Sequence, residues 1–101
     1  MATKGKKNGA KFVLIRTTGA GVHCGVLVAA NQREGWVRLT DARRVWNWHG
    51  GNSLHELSLR GAAETGTRIS EPIAEIDILG VHEILTCTPE AAANLRRSRW
   101  T

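Results

Sequence analysis

Ten consecutive residues carry most of the chemistry in this chain. Asp41-Ala42-Arg43-Arg44-Val45-Trp46-Asn47-Trp48-His49-Gly50 sets two adjacent guanidinium groups beside two of the four tryptophans. Arginine is a planar fork that meets a phosphate or carboxylate with two parallel hydrogen bonds, and an indole face attracts both flat rings and cations. Such a cluster suits an anionic, nucleotide-like ligand. The competing reading is structural: Val45, Trp46 and Trp48 form a strand, with Trp46 and Trp48 on one face by the period of two, packing as core while the arginines are solvated.

Further arginines extend the candidate surface. Arg16 ends an apolar run beside Gly19 and Gly21, and Arg96, Arg97 and Arg99 crowd Trp100. Cations after a helix also complement its dipole, which accounts for one of Arg96 and Arg97 but not for all three arginines and a tryptophan. The candidate ligand set is Arg16, His23, Arg43, Arg44, Trp46, Trp48, Arg96 and Arg97.

Other constellations carry less. Gly19-Ala20-Gly21 lacks the third glycine and the helix of a dinucleotide fingerprint, and no Gly-Lys-Ser/Thr phosphate loop occurs. His23, Cys24, His82 and Cys87 supply zinc-compatible atoms, but His23 and Cys24 are neighbours that point apart on a strand, so one wall cannot use both. The same geometry argues against Cys24 as a nucleophile with His23 as its base. Glu75 and Asp77 share a strand face, where charges more often protect a sheet edge than form an acid/base dyad. The expectation is a binding protein without catalysis, metal or cofactor.

Composition sets the frame. A chain of 101 residues is one small domain with one modest core, which makes a homo-oligomer an attractive arrangement. No apolar run approaches the ~20 residues of a membrane span, and the lysine-rich start lacks the features of a signal peptide. Cytosolic placement with reduced thiols at Cys24 and Cys87 follows. Of the net charge of +5, the lysines Lys4, Lys6, Lys7 and Lys11 account for +4, and the remaining arginines and acids nearly cancel. Residues 1–10 therefore read as a flexible basic arm and residues 11–101 as a nearly neutral domain, for which nucleic acid is an unfavoured partner.

The elements that must position these groups are strand-rich. Phe12 to Ile15 is a first strand, Val22 to Val28 a second, Trp36 to Thr40 a third and Val45 to Trp48 a fourth, with a turn over Asn31 to Gly35. Ser53-Leu54-His55-Glu56 matches a capping box, opening a two-turn helix that buries Leu54 and Leu57 and stops at Gly61. Ile73 to Leu79 and Val81 to Cys87 are two segments of one bent ribbon hinged at Gly80. Thr88-Pro89-Glu90 starts a final helix through Arg97. The fold class is α+β, an antiparallel β-sheet meander with two short helices.

Taken together, Arg16-Thr17, Ala20-Gly21-Val22-His23-Cys24-Gly25, Ala42-Arg43-Arg44-Val45-Trp46-Asn47-Trp48, Leu54 and Leu57 before Gly61, Glu83-Ile84, and Thr88-Pro89-Glu90-Ala91 resemble a widespread small bacteriophage family known as a domain of unknown function. The order and spacing of the arginines is also similar to the phage anti-Thoeris sponge proteins, oligomers that sequester cyclic ADP-ribose-type signals or cyclic nucleotides. That resemblance implies Arg16, Arg44 and one of Arg96 or Arg97 as phosphate ligands, and a place in the host cytoplasm. Where an aromatic would stack on the ligand after Gly66 this chain has Ile69, so stacking falls to Trp46, Trp48 or Trp100. Alternative readings are a virion component such as a capsid decoration protein, or a nucleic-acid-binding module.

Overall fold

The computed structural model describes residues 10–99. Apart from Ala10, the expected arm lies outside the described residues, as does Trp100. In chain order the elements are β1 (Lys11–Thr17), β2 (Val22–Asn31), β3 (Trp36–Asn47), α1 (Leu54–Arg60), β4 (Arg68–Ile69), β5 (Ile73–Leu79), β6 (Val81–Thr86) and α2 (Pro89–Leu95). All strand pairs are antiparallel, and with two short helices the fold is α+β.

The run Phe12 to Ile15 is buried at every position because β1 has a core on each side. Alternate side chains on a strand point to opposite faces. Val13 and Ile15 join Val37, Leu39, Ala42 and Ile78 in one cluster. Phe12 and Leu14 join Cys24, Val45, Leu54, Leu57, Ile69 and Leu95 in the other. The first cluster fills the inside of the curled sheet, and the second lies between the sheet and the helices.

Sheet curvature comes from β5 and β6. They are consecutive, separated by Gly80 alone, yet β5 pairs with β3 and β6 pairs with β1. The order β3, β2, β1, β6 therefore returns to β3 through the β5–β6 ribbon, and the sheet closes on itself. Gly80 turns the ribbon with a φ of 73°. Its carbonyl accepts from the Thr18 N–H at 3.0 Å, while the Val81 N–H donates to the Gly35 carbonyl at 3.0 Å, tying the corner to the ends of β1 and β3.

The sequence suggested four strands in the first half; there are three. The expected third and fourth strands are one continuous strand, β3, carried past Thr40 and Asp41 by a bulge. Pairing moves from Cys24 opposite Arg43 to Val26 opposite Thr40, so β3 spends one extra residue. Asp41 absorbs it in the left-handed region, with a φ of 50°. Gly25 faces the bulge, where a Cβ would sit 2.9 Å from the Thr40 carbonyl oxygen. Bulges re-aim the strand and deepen its twist, which a closed sheet of this size requires. The two-residue strand β4 was not anticipated; it extends the β3 edge, with Val45 opposite Ile69 and Asn47 opposite Arg68.

The helices follow their caps. The Glu56 carboxylate accepts from the Ser53 N–H at 2.9 Å, and Gly61 ends α1 at a φ of 82° with its N–H on the Leu57 carbonyl. The Thr88 hydroxyl accepts from the Ala91 N–H at 3.0 Å and donates to the Leu59 carbonyl at 2.8 Å, so one side chain caps α2 and docks it on α1. Helix α2 stops at Leu95 rather than Arg97, with Arg96 at its C-cap.

Candidate functional site

A cleft of about 540 Å³ opens between the β1–β6 pair and the start of α1. Arg16, Thr17, Gly21, Val22 and Glu83 line one side, and Trp48, Asn52, Ser53, Leu54 and His55 line the other. Arg16 and Glu83 face each other across the β1–β6 ladder. The Arg16 Nε lies 3.2 Å from the Glu83 carboxylate, and both side chains remain about half exposed. An exposed pair of this kind contributes about 0–1 kcal/mol, so either partner can exchange it for a ligand at little cost.

Trp48 reaches this cleft through an irregularity in the sheet. The β3–β4 register shifts between Val45 and Asn47, which breaks the period of two. Val45 is buried and Trp48 packs against the same helix-side cluster, although they are an odd three positions apart. Trp46 is half exposed, and the Arg68 guanidinium covers its ring at 5.2 Å from the centroid. The two rings therefore do not share a face. The lip at residues 52–55 is set by the α1 cap, where hydrogen bonds from Ser53 hold the Glu56 carboxyl below its ordinary pKa.

His23 and Arg44 pair in register on the other face of the sheet. The Arg44 guanidinium lies against the backbone of Gly21, where an added Cβ would approach its Nε and one terminal nitrogen to 3.0 Å. The His23 ring donates through Nε2 to the Ala20 carbonyl at 2.8 Å, and burial lowers its pKa, so it is neutral at physiological pH. The His23 hydrogen bond braces the turn after β1, and the exposed Arg44 side chain lies beside that turn.

The remaining arginines are tied down separately. Arg43 is buried, donates to the Asp41 carboxylate at 3.1 Å, and has an Nε with no partner among the described residues. Arg96 shares that carboxylate at 3.4 Å and stacks on the Phe12 ring. Arg97 pairs with Glu64. Of the eight candidate residues, Arg16 and Trp48 meet in this cleft.

Sequence reading missed Glu83 as the partner of Arg16 and Arg99 as a structural hub. The Arg99 guanidinium donates to the carbonyls of Ala62, Ala63 and Asn94 and to the Asn94 side chain. Nothing in local spacing announces either; the Arg16–Glu83 pair and the Arg99 bonds to Ala62 and Ala63 join residues far apart in sequence, although Glu83 falls within a recognisable strand.

The nucleophile candidates are poorly placed. Cys24 is fully buried, and desolvation pushes its thiol up to about 12. Burial also pushes Cys87 up to about 11. Among the described residues, no group of three or more His, Cys, Asp or Glu gathers as a metal site.

The model of a domain of unknown function, DUF6948, matches residues 10–95. The chain belongs to the DUF6948 family. The match spans every element from β1 to α2. No curated protein and no solved structure matches the chain.

Proposed function

We propose that this protein binds an anionic, nucleotide-like small molecule without transforming it, taking the ligand in the Arg16–Trp48 cleft. The observation that carries the reading is the conjunction of a planar cation and an indole in one cleft of about 540 Å³, a size suited to a nucleotide. Trp48 offers a wall for the ring, and Arg16 offers a fork for a phosphate or carbonyl oxygen. Catalysis has little support, since Cys24 is sealed as a thiol and His23 is committed to the Ala20 carbonyl. The resemblance to phage sponge proteins extends the reading to a phage accessory role: withholding a cyclic nucleotide or ADP-ribose-type signal from host defence.

The test is thermal stabilisation by a nucleotide panel, because a ligand that binds the native state raises its stability by RT ln(1 + [L]/Kd). Arg16→Ala should weaken capture roughly ten- to a hundredfold, the loss of one charge-assisted contact of about 1.5–3 kcal/mol. Arg44→Ala discriminates the faces: loss there, with Arg16→Ala unaffected, would move the ligand to the opposite side. A folded protein stabilised by no nucleotide overturns the proposal.

A second reading is supported by the exposure of Ile73 and Leu79 on β5 and of Trp46, namely contact with another subunit in a homo-oligomer or a particle. A monomer at micromolar concentration by light scattering would remove the oligomer.

A further inference from the structure

The cleft contains a group that a plain phosphate site would avoid. Glu83 lies directly opposite Arg16 and holds its Nε at 3.2 Å. A phosphate approaching Arg16 meets that carboxylate at close range, and the like charges repel. Together the two side chains present a donor fork beside an acceptor pair, and that pattern fits a different object: the edge of a flat ring on which a carbonyl oxygen sits next to N–H groups. A guanidinium donates to the carbonyl, and an ionised carboxylate accepts from the N–H groups. Guanine offers this edge, with O6 beside N1–H and the exocyclic amine. Adenine offers an amine beside a bare ring nitrogen, whose lone pair would face the Glu83 carboxylate unpaired.

We propose that the Arg16–Glu83 pair reads a guanine-type base, stacked on Trp48, and leaves the phosphate to the α1 side of the cleft lined by Asn52 and His55; this rests on the nucleotide reading above. The register supports it. Arg16 and Glu83 are held directly opposite each other on adjacent strands by a backbone ladder, so the donor and acceptor side chains start from neighbouring positions without a ligand. Sites built around hydrogen bonds to a ligand reject analogues that lack the matching group far more strongly than apolar sites do, because a buried polar group is left unpaired.

Isothermal titration calorimetry with GMP, IMP, XMP and AMP, on the wild-type chain and on Glu83→Gln, tests the assignment. The wild type should bind GMP at least about tenfold more tightly than IMP, which lacks the exocyclic amine, and more tightly still than AMP or XMP, the cost of one unmade hydrogen bond or more. Glu83→Gln removes the charge and supplies an amide donor, so it should lower GMP affinity and raise XMP affinity, whose added carbonyl accepts from that amide. Reversal of preference is a result that mere loss of structure cannot produce, and an unchanged melting temperature of the variant confirms the fold. If AMP binds as well as GMP and Glu83→Gln changes neither, the guanine assignment fails and the nucleotide reading stands. If the folded wild type binds none of the four, and cyclic nucleotides and ADP-ribose also fail to stabilise it, both fall.

Discussion

Arg43 and Arg44 are the same side chain one residue apart, and strand geometry sends them to different environments. Arg43 is buried against Asp41 on the helix side, whereas Arg44 is exposed beside His23 on the other face. Arg43→Ala should lower stability by about 2–3 kcal/mol in urea denaturation, through lost packing of a buried side chain and its charge-assisted hydrogen bond to Asp41. Arg43→Met, which keeps volume and removes the buried charge, should recover much of that, because an apolar residue of similar shape often matches a buried ion pair. Arg44→Ala, with a solvated side chain, should stay within about 0.5 kcal/mol. Equal losses at the two positions would contradict the alternation. Neighbouring positions point apart wherever both lie on a strand, but the expected strands stopped at Thr40 and resumed at Val45, and it is β3 that carries both arginines. Which of the two is buried was not legible in the sequence, because that depends on Asp41 and Arg96 arriving from a bulge and from a helix C-cap.

Among the elements, β3 decides the most. Asp41 to Arg44 fell between the two expected strands, and the chain instead continues as one strand through a bulge at Asp41. Gly25 is the counterpart across the ladder. Gly25→Ala places a methyl 2.9 Å from the Thr40 oxygen and 3.1 Å from the Ala42 Cα, both backbone atoms that cannot swing away. We expect a loss at the upper end of about 1–3 kcal/mol by chemical denaturation; a neutral result would mean that the bulge relaxes freely. The helix pair is governed by Asn94, which accepts from the Ala62 N–H at 2.9 Å, donates to the Ala62 carbonyl at 3.0 Å and accepts from Arg99. Asn94→Ala should destabilise by about 1–3 kcal/mol, since it orphans the Ala62 N–H, while the Ala62 carbonyl keeps its bond from Arg99. Hydrogen exchange at Ala62 should rise in that variant; protection retained at the wild-type level would assign the Ala62 amide another partner. The helices themselves were legible, because the Ser53–Glu56 and Thr88–Pro89 caps are local signals. Strand β4 was not, since two residues carry no periodicity and pair only because β3 offers an edge.

For the whole molecule, the doubly buried β1 couples the curled sheet to the helix layer, and Cys24 titrates with that coupling. Its folded-state thiol is raised to about 12 from an ordinary 9.0. The unfolded chain therefore loses that proton first, so stability is full below about pH 9 and falls as pH climbs toward 12. Cys24→Ala should flatten much of this alkaline slope in urea midpoints measured from pH 8 to 11, and an unchanged slope would assign the loss to other groups. On the acid side the signs reverse. Glu56, Glu64 and Asp77 are held below their ordinary pKa values by hydrogen bonds from Ser53, Arg97 and Arg38 respectively, so what they contribute is present at neutral pH and is lost as pH falls through their folded values. Both thiols should resist a thiol reagent in the native protein and react on unfolding, given their burial.

Local chemistry was enough for the sequence to locate β1, β2, β5, β6 and the starts of both helices, and to place Arg16 near a glycine turn at the end of β1. Those properties depend on neighbours within a few positions, through propensity, periodicity and backbone sterics. Tertiary structure alone decided that β5 and β6 join opposite edges of the sheet, that Trp46 and Trp48 part company at a register shift, and that Arg16 meets Glu83 and Trp48 while Arg43, Arg96 and Arg97 are taken by Asp41 and Glu64. Each of these depends on which strand edge or carboxylate reaches a side chain from far along the chain, and a one-residue bulge is enough to turn a side chain from one face to the other.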